Sequence, residues 1–209
     1  MVRAAVLASG EGSKLQTILD AVSQNEIPNI ELVAVICPQR DAYAMKRAIS
    51  AEIPAYFVDP ELFPTNTSHS MAVANKLKDM DIDLVILAGY DQTLGVVPYQ
   101  FRNRIIGTCP LLYPAFDGQE LDPIRAVLER GVKITGATAY FADGDGGVGG
   151  IILQKAVEVL PEDTMESLAQ RVTEDGEREL LRQAVSLYCA GRLQIRGKRV
   201  MIRKEEKDE

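Results

Sequence analysis

Short apolar runs alternate with segments of helical periodicity through the first half of the chain. Residues 4–7 form one such run, and apolar side chains recur at helical spacing over residues 15–22 that follow. The clearest run spans 83–89 and is apolar on both faces, as is typical of parallel strands covered by helices. This pattern predicts an α/β fold with a mostly parallel twisted sheet, helices on both faces, and Ile86 and Leu87 in a central strand.

The second half of the chain has a different pattern. Residues 134–141 and 151–157 predict a pair of strands around a loop at 143–150 that is very rich in glycine. A long helix is predicted from residue 165 towards residue 190. Two short apolar runs within residues 193–202 then predict a terminal hairpin.

Composition narrows the class of protein. Of the 209 residues, 46% are apolar and the net charge is -7, which is typical of a globular protein and disfavours a general nucleic-acid binder. No apolar run approaches the ~20 residues that a membrane helix needs. Three widely spaced cysteines favour a reduced, cytoplasmic setting, and the single histidine excludes histidine-rich metal sites. His69 itself is expected at a solvated helix start.

The first strand ends in a glycine-containing turn, Ser9-Gly10-Glu11-Gly12-Ser13, which opens a helix. Backbone N–H groups and the helix dipole at such a turn favour an anion, and Lys14 adds positive charge. The turn lacks the third glycine of the dinucleotide fingerprint and the Gly-Lys-Ser/Thr of a P-loop. Taken alone, it fits a tight strand-to-helix turn equally well.

Six segments together resemble the phosphoribosylglycinamide formyltransferases of purine biosynthesis across nearly the whole chain. The resemblance implies a Rossmann-like formyltransferase fold that moves a formyl group from 10-formyltetrahydrofolate to the amine of glycinamide ribonucleotide, without a metal and without a tightly bound cofactor. The segments are Ser9-Gly10-Glu11-Gly12-Ser13-Lys14-Leu15-Gln16, Asp83-Leu84-Val85-Ile86-Leu87-Ala88-Gly89-Tyr90, Arg104-Ile105-Ile106, Pro114-Ala115-Phe116, Gly131-Val132-Lys133-Ile134-Thr135-Gly136-Ala137-Thr138 and Ile151-Ile152-Leu153-Gln154-Lys155-Ala156-Val157.

The chain departs from that family at its catalytic positions. The family pattern Asn-x-His-Pro corresponds here to Gly107-Thr108-Cys109-Pro110, so that Gly107 stands for the catalytic Asn and Cys109 for the catalytic His. The family's catalytic Asp aligns with Gly147. Asp143 and Asp145 are the nearby carboxylates that a rearranged loop would use instead.

The resemblance also assigns binding positions. Lys14 stands where the family has an Asn in its phosphate turn, and Glu177 corresponds to a ribose contact. The phosphate or nucleotide positions are Gly10, Glu11, Gly12, Ser13, Lys14, Gly89 and Glu177, and the folate-type pocket positions are Leu87, Tyr90, Asp91, Gln92 and Asp143. Asp91-Gln92-Thr93 replaces the family's Met-Arg-Ile, and Asn66 replaces an Arg, which makes folate and phosphate binding doubtful at those positions.

The expected organisation is a single formyltransferase-like domain over residues 1–209. Residues 1–100 correspond to the phosphate- and nucleotide-binding half, residues 101–202 to the folate and catalytic half, and residues 203–209 to a charged tail.

Three hypotheses about function remain open. The first is a protein that no longer transfers formyl groups and is retained for ligand binding or regulation. The second is an active formyltransferase with a rearranged site, and the third is an enzyme of another class that depends on Cys109. The first is favoured, because the catalytic Asn, His and Asp are all replaced. The expected partner is a small phosphorylated or folate-like ligand, with no nucleic acid and no membrane, on a monomer or homodimer.

Overall fold

The computed structural model of the protein describes residues 1–118, 122–144 and 146–204. Within those ranges the strands, numbered in chain order, are β1 (Val2–Ala8), β2 (Ile30–Cys37), β3 (Ala55–Phe57), β4 (Leu84–Ala88), β5 (Ile105–Cys109), β6 (Ile134–Asp143), β7 (Gly147–Glu158), β8 (Leu193–Arg196) and β9 (Arg199–Ile202). The helices are α1 (Ser13–Ser23), α2 (Tyr43–Ser50), α3 (Asn66–Asp79), α4 (Val97–Gln100), α5 (Pro123–Arg130), α6 (Met165–Arg171) and α7 (Arg178–Cys189), with a 3₁₀ turn at Pro60–Leu62 and a π-helical turn at Val172–Glu177.

The strands form one sheet in the order β3-β2-β1-β4-β5-β6-β7-β9-β8. The first five strands in this order are all parallel, with Ile86 of β4 paired to Val6 on one side and Ile106 on the other. The predicted α/β fold and the internal position of Ile86 and Leu87 are therefore confirmed. Beyond β5 the sheet becomes mixed, because β6 and β7 run antiparallel to their preceding neighbours.

Helices cover both faces of the sheet, as predicted. On one face, α1, α5, α6 and α7 bury Leu15, Val127, Leu168 and Leu181 against the sheet. On the opposite face, α3 and the segment around α4 pack against a second core that includes Leu77. None of the helices in the described parts of the chain has the length and apolar character needed to cross a bilayer.

Three local expectations from the sequence differ from the structure. The glycine-rich segment is not a slack loop, because β6 continues to Asp143 and β7 begins at Gly147. The long helix is interrupted by the π-helical turn, where a Cβ on Gly176 would lie 2.9 Å from the Cβ of Ala137. The solvated position expected for His69 is wrong: its side chain is buried and its Nε2 lies 3.1 Å from the carbonyl oxygen of Val58.

Candidate functional site

The turn between β1 and α1 lies at the carboxyl end of β1, where an α/β sheet holds its ligands. Gly10 and Gly12 adopt positive φ angles of 57° and 68°. Gly12 is the N-cap of α1 and provides no side-chain cap, so the first N–H groups of the helix stay available to a ligand. A Cβ at Gly12 would come within 2.8 Å of the Cβ of Ala44, which explains why the turn requires glycine there.

Lys14 does not extend over this turn. Its Nζ lies 2.5 Å from Oε1 of Glu177 and 3.4 Å from Oγ1 of Thr108. Thr108 donates a hydrogen bond of 2.9 Å to the same oxygen of Glu177. The Glu177 side chain is only 3% exposed, whereas that of Lys14 is 17% exposed. The sequence placed Lys14 and Glu177 in one site, and the structure joins them to each other.

The π-helical turn sets the position of Glu177, its last residue. Gly176 packs closely on Ala137 of β6, and Thr173 donates a hydrogen bond of 3.3 Å to Oε2 of Glu177. A π turn shifts the following side chains around the helix axis and is frequent at functional sites. Here it directs a buried carboxylate towards the ends of β1 and β5.

Asp91 forms a second polar cluster next to the turn. Its carboxylate accepts hydrogen bonds from Ser9 Oγ at 2.7 Å, Gln39 Nε2 at 2.8 Å and Gln92 Nε2 at 3.1 Å. Gln39 in turn accepts a 3.1 Å hydrogen bond from the backbone N–H of Gly10. Burial alone would raise the pKa of Asp91, but the hydrogen bonds from its neighbours outweigh burial and lower that pKa. The cluster ties the β1–α1 turn to the end of β4 and places a negative charge beside it.

A cavity of about 370 Å³ opens at the carboxyl end of β4. Its lining residues are Leu87, Tyr90, Asp91, Gln92, Thr93, Leu94, Tyr140 and Gly146. Four of the five predicted folate-pocket residues therefore meet in one cavity. The fifth, Asp143, lines a different cavity of about 510 Å³ together with Arg102 and Lys198.

Gly107 and Cys109 lie on β5 beside this cavity, paired with Tyr140 and Thr138 of β6. A Cβ at Gly107 would lie 3.1 Å from Cδ1 of Leu87 and 3.4 Å from Cζ of Tyr140. Burial is the largest factor that raises the pKa of the Cys109 thiol to about 11, and Glu177 raises it further. Burial, with Cys109 and Glu177 nearby, raises the pKa of Tyr140 to about 12. Both groups are therefore neutral at physiological pH.

Gly147 is displaced along the sheet from these two residues. On β6, Gly107 is opposite Tyr140 and Cys109 is opposite Thr138, whereas Gly147 is opposite Asp143, three and five positions further along that strand. At a rise of ~3.3 Å per residue, these separations are about 10 Å and about 16 Å along the strand. Asp145, the other carboxylate that the sequence offered, lies outside the described residues.

Sequence reasoning did not single out Thr108 or Gln39. Thr108 could have been found from strand alternation, since its side chain must face away from that of Cys109. Gln39 follows the carboxyl end of β2, but no sequence signal links it to Asp91. Across the described ranges, the His, Cys, Asp and Glu side chains form no group of three or more that could hold a metal ion.

A mostly parallel α/β sheet with a glycine turn, a buried ion pair and a cavity at its carboxyl edge is typical of Rossmann-like proteins, and the formyl transferase family model matches residues 2–185. Phosphoribosylglycinamide formyltransferase of Haemophilus influenzae is 32% identical over 94% of this chain and 91% of its own length. The solved structure of glycinamide ribonucleotide transformylase 1 from Symbiobacterium toebii superposes with a TM-score of 0.90 and 41% identity, over 98% of this chain and 95% of the other. The chain therefore belongs to the phosphoribosylglycinamide formyltransferase family.

A formyltetrahydrofolate deformylase from Pseudomonas syringae shares the fold, with a TM-score of 0.87 at 23% identity over 97% of this chain and 66% of the other. The family resemblance seen in the sequence and the Rossmann-like formyltransferase fold are thus confirmed.

Proposed function

We propose that this protein binds a small ligand in the cleft of a formyltransferase fold and does not transfer the formyl group of 10-formyltetrahydrofolate. The proposal rests on the residues that occupy the family's catalytic positions, two of which lie at the end of β5. Of the three positions that correspond to the family's catalytic groups, Gly107 and Gly147 have no side chain, and Cys109 presents a neutral thiol whose pKa is raised to about 11.

The expected loss of rate is large. Attack of an amine on a formyl carbon creates an oxyanion and a proton that must be moved. Loss of one oxyanion donor typically lowers the rate by ~10²–10³, and loss of a positioned acid or base by a further ~10²–10⁴. These losses are not additive within one group of residues, but either alone would leave little activity.

Ligand binding is supported by what the cleft still contains. The N-terminus of α1 presents backbone donors, and the 370 Å³ cavity retains apolar and polar walls. This chemistry fits a phosphorylated or folate-like small molecule. With three free cysteines and a net charge of -7, we place the protein in the cytoplasm, without a nucleic-acid or membrane partner, as a monomer or homodimer.

The test is folate release from 10-formyltetrahydrofolate in the presence of glycinamide ribonucleotide, with the Haemophilus influenzae relative as the positive control. We expect no turnover by the natural protein, and little by the combined replacement Gly107→Asn, Cys109→His and Gly147→Asp. Adding Tyr140→His to that replacement would put a smaller ring beside position 107. A thermal-shift screen with nucleotides, phosphoribosyl compounds and folates tests ligand binding separately. Robust turnover by the natural protein would refute the proposal.

A second candidate is an active formyltransferase with a rearranged site, and the position of Tyr140 favours it. Its phenol lies beside Gly107, where a hydroxyl donor would face a ligand in the cavity. In that case the natural protein turns over and Tyr140→Phe loses the activity. A Cys109-dependent enzyme is not supported, because a thiol needs an electropositive setting to form a thiolate and this one is buried near Glu177.

A further inference from the structure

The cavity of about 510 Å³ is the larger of the two described above, and its volume is typical of small-molecule sites. Its walls come from β6, β7, the terminal hairpin of β8 and β9, and the two segments that flank β5. It shares no lining residue with the cavity at the end of β4. Tyr140 lines the cavity at the end of β4, whereas its neighbour Phe141 lines the larger one and belongs to the other core. The larger cavity is therefore separate from the cleft discussed so far.

A bulge in β7 forms one wall of this cavity. Two residues of β7, Gly149 and Gly150, lie opposite Phe141 alone on β6. A Cβ at Gly149 would lie 2.7 Å from the carbonyl oxygen of Phe141, and one at Gly150 would lie 2.8 Å from Cγ2 of Val200, so both positions require glycine. In the described part of the chain, β9 pairs with β7 through a single pair of residues beside this bulge. Bulges bend a strand, and the cavity lies where the sheet loses its regular pairing.

Two cations line the cavity. Arg102 precedes β5 and Lys198 lies in the turn of the terminal hairpin, and both side chains are exposed. Among the described residues, neither of them forms an ion pair. The carboxylate of the wall, Asp143, accepts a 2.9 Å hydrogen bond from the backbone N–H of Gly144. Two cations and one carboxylate give the wall a charge of +1, in a chain whose net charge is -7.

Apolar side chains supply the rest of the surface that a ligand would need. Phe141 is only 2% exposed, and its ring is held edge-on against Tyr188 at a centroid distance of 6.1 Å. Val148 and Ile195 are half-buried in the same wall. Sites for small molecules typically combine such apolar walls with a few charged groups that fix the orientation of the ligand. The cavity therefore offers an apolar floor and, at its exposed side, two cations.

We propose that this cavity is a binding site for a small organic anion with an aromatic or apolar body. The body contacts Phe141, Val148 and Ile195, and the anionic group contacts Arg102 and Lys198. This inference goes beyond the proposed function, because it adds a site outside the cleft and holds whether or not the cleft binds a ligand.

The experiment is a fluorescence titration with two probes. Anilinonaphthalene sulfonate has aromatic rings and an anionic group, and phenylnaphthylamine has the same rings without the charge. Arg102→Gln and Lys198→Gln each remove one cation from the cavity, and the matched controls Arg125→Gln and Lys133→Gln remove exposed cations elsewhere. Melting temperatures equal to that of the natural protein ensure that the sulfonate does not report a loosened core.

We expect each cavity variant to bind the sulfonate about threefold more weakly than the natural protein does, and the double variant about tenfold more weakly. Both cavity variants should bind the uncharged probe like the natural protein, and both controls should bind the sulfonate like the natural protein. The proposal is overturned if the natural protein does not bind the sulfonate, if the cavity variants lose both probes equally, or if the controls lose as much as the cavity variants.

One more variant separates this site from the cleft. Thr93→Trp puts a large side chain in the cavity at the end of β4 and should leave binding of the sulfonate unchanged. Loss of the sulfonate in Thr93→Trp, with no loss in Arg102→Gln or Lys198→Gln, would overturn this inference and support ligand binding by the cleft instead. Failure of this inference is thus distinct from failure of the proposed function.

Discussion

The ion pair between Lys14 and Glu177 yields a prediction about which partner matters more for stability. Removing one partner of a buried pair typically costs ~3–5 kcal/mol, because the other charge is left buried without compensation. In this pair the two partners are buried unequally, with 3% of the Glu177 side chain exposed and 17% of the Lys14 side chain. Lys14→Met therefore leaves the deeply buried Glu177 carboxylate without its cation. Glu177→Gln leaves the Lys14 ammonium, which water can reach.

The magnitudes follow from these contacts. In Lys14→Met, the carboxylate keeps hydroxyl donors from Thr108 at 2.9 Å and Thr173 at 3.3 Å. Because these donors remain, we expect a loss of about 3 kcal/mol, at the lower end of the usual range. In Glu177→Gln, the amide oxygen still accepts from Thr108 and the ammonium turns to water, so we expect a loss of about 1–2 kcal/mol.

The measurement is urea unfolding of the natural protein, both single variants and the double variant at pH 7. The double variant completes the cycle and reports the coupling between the two side chains. Equal losses for the two single variants, or a smaller loss for Lys14→Met than for Glu177→Gln, would refute the reasoning.

Three further predictions concern the turn and the thiols. Gly12→Ala should destabilise the protein by about 2–4 kcal/mol, because it combines a positive φ with a 2.8 Å contact to Ala44. Gly10→Ala has a positive φ but open space around the new Cβ, so it should cost only ~1–2 kcal/mol. Thermal unfolding of both variants checks this, and equal effects would contradict it. Because its pKa is raised to about 11, Cys109 should be alkylated by iodoacetamide roughly 300-fold more slowly at pH 7.4 than an ordinary thiol. The rate should rise about tenfold for each pH unit above 7.4, and mass spectrometry would measure it. Complete labelling of Cys109 in the folded protein within minutes at neutral pH would disprove the prediction. Crystals soaked in sulfate should show the anion at the turn between β1 and α1, and occupation of other sites alone would exclude the turn as an anion site.

The fold was readable from the sequence because its main signals are local. The apolar run around Ile86 has no polar face, and such a strand needs neighbours and helices on both sides, as β4 has. The prediction of a loop at the glycine-rich segment was wrong, because glycine content by itself suggests a loop. A Cβ at position 149 would lie 2.7 Å from the carbonyl oxygen of Phe141, so glycine there allows the two strands to pack closely. His69 misled for a similar reason: a polar side chain at a helix start was expected in water, but Phe63 and the Val58 carbonyl enclose it.

The candidate site was readable only as a set of positions. The residues of the turn after β1 by themselves predicted an anion site, and the resemblance to the family assigned the four residues that line one cavity at the end of β4 and the replacements at Gly107, Cys109 and Gly147. Only the tertiary structure decided that Lys14 and Glu177, which are 163 positions apart, neutralise each other. It also placed the Tyr140 ring beside Gly107 and put Asp143 in the wall of a different cavity from the other four residues. The physical reason is that contacts between residues distant in sequence depend on how the strands align in the sheet and on the path of the π turn. A pattern of neighbouring residues does not specify which distant side chains then meet.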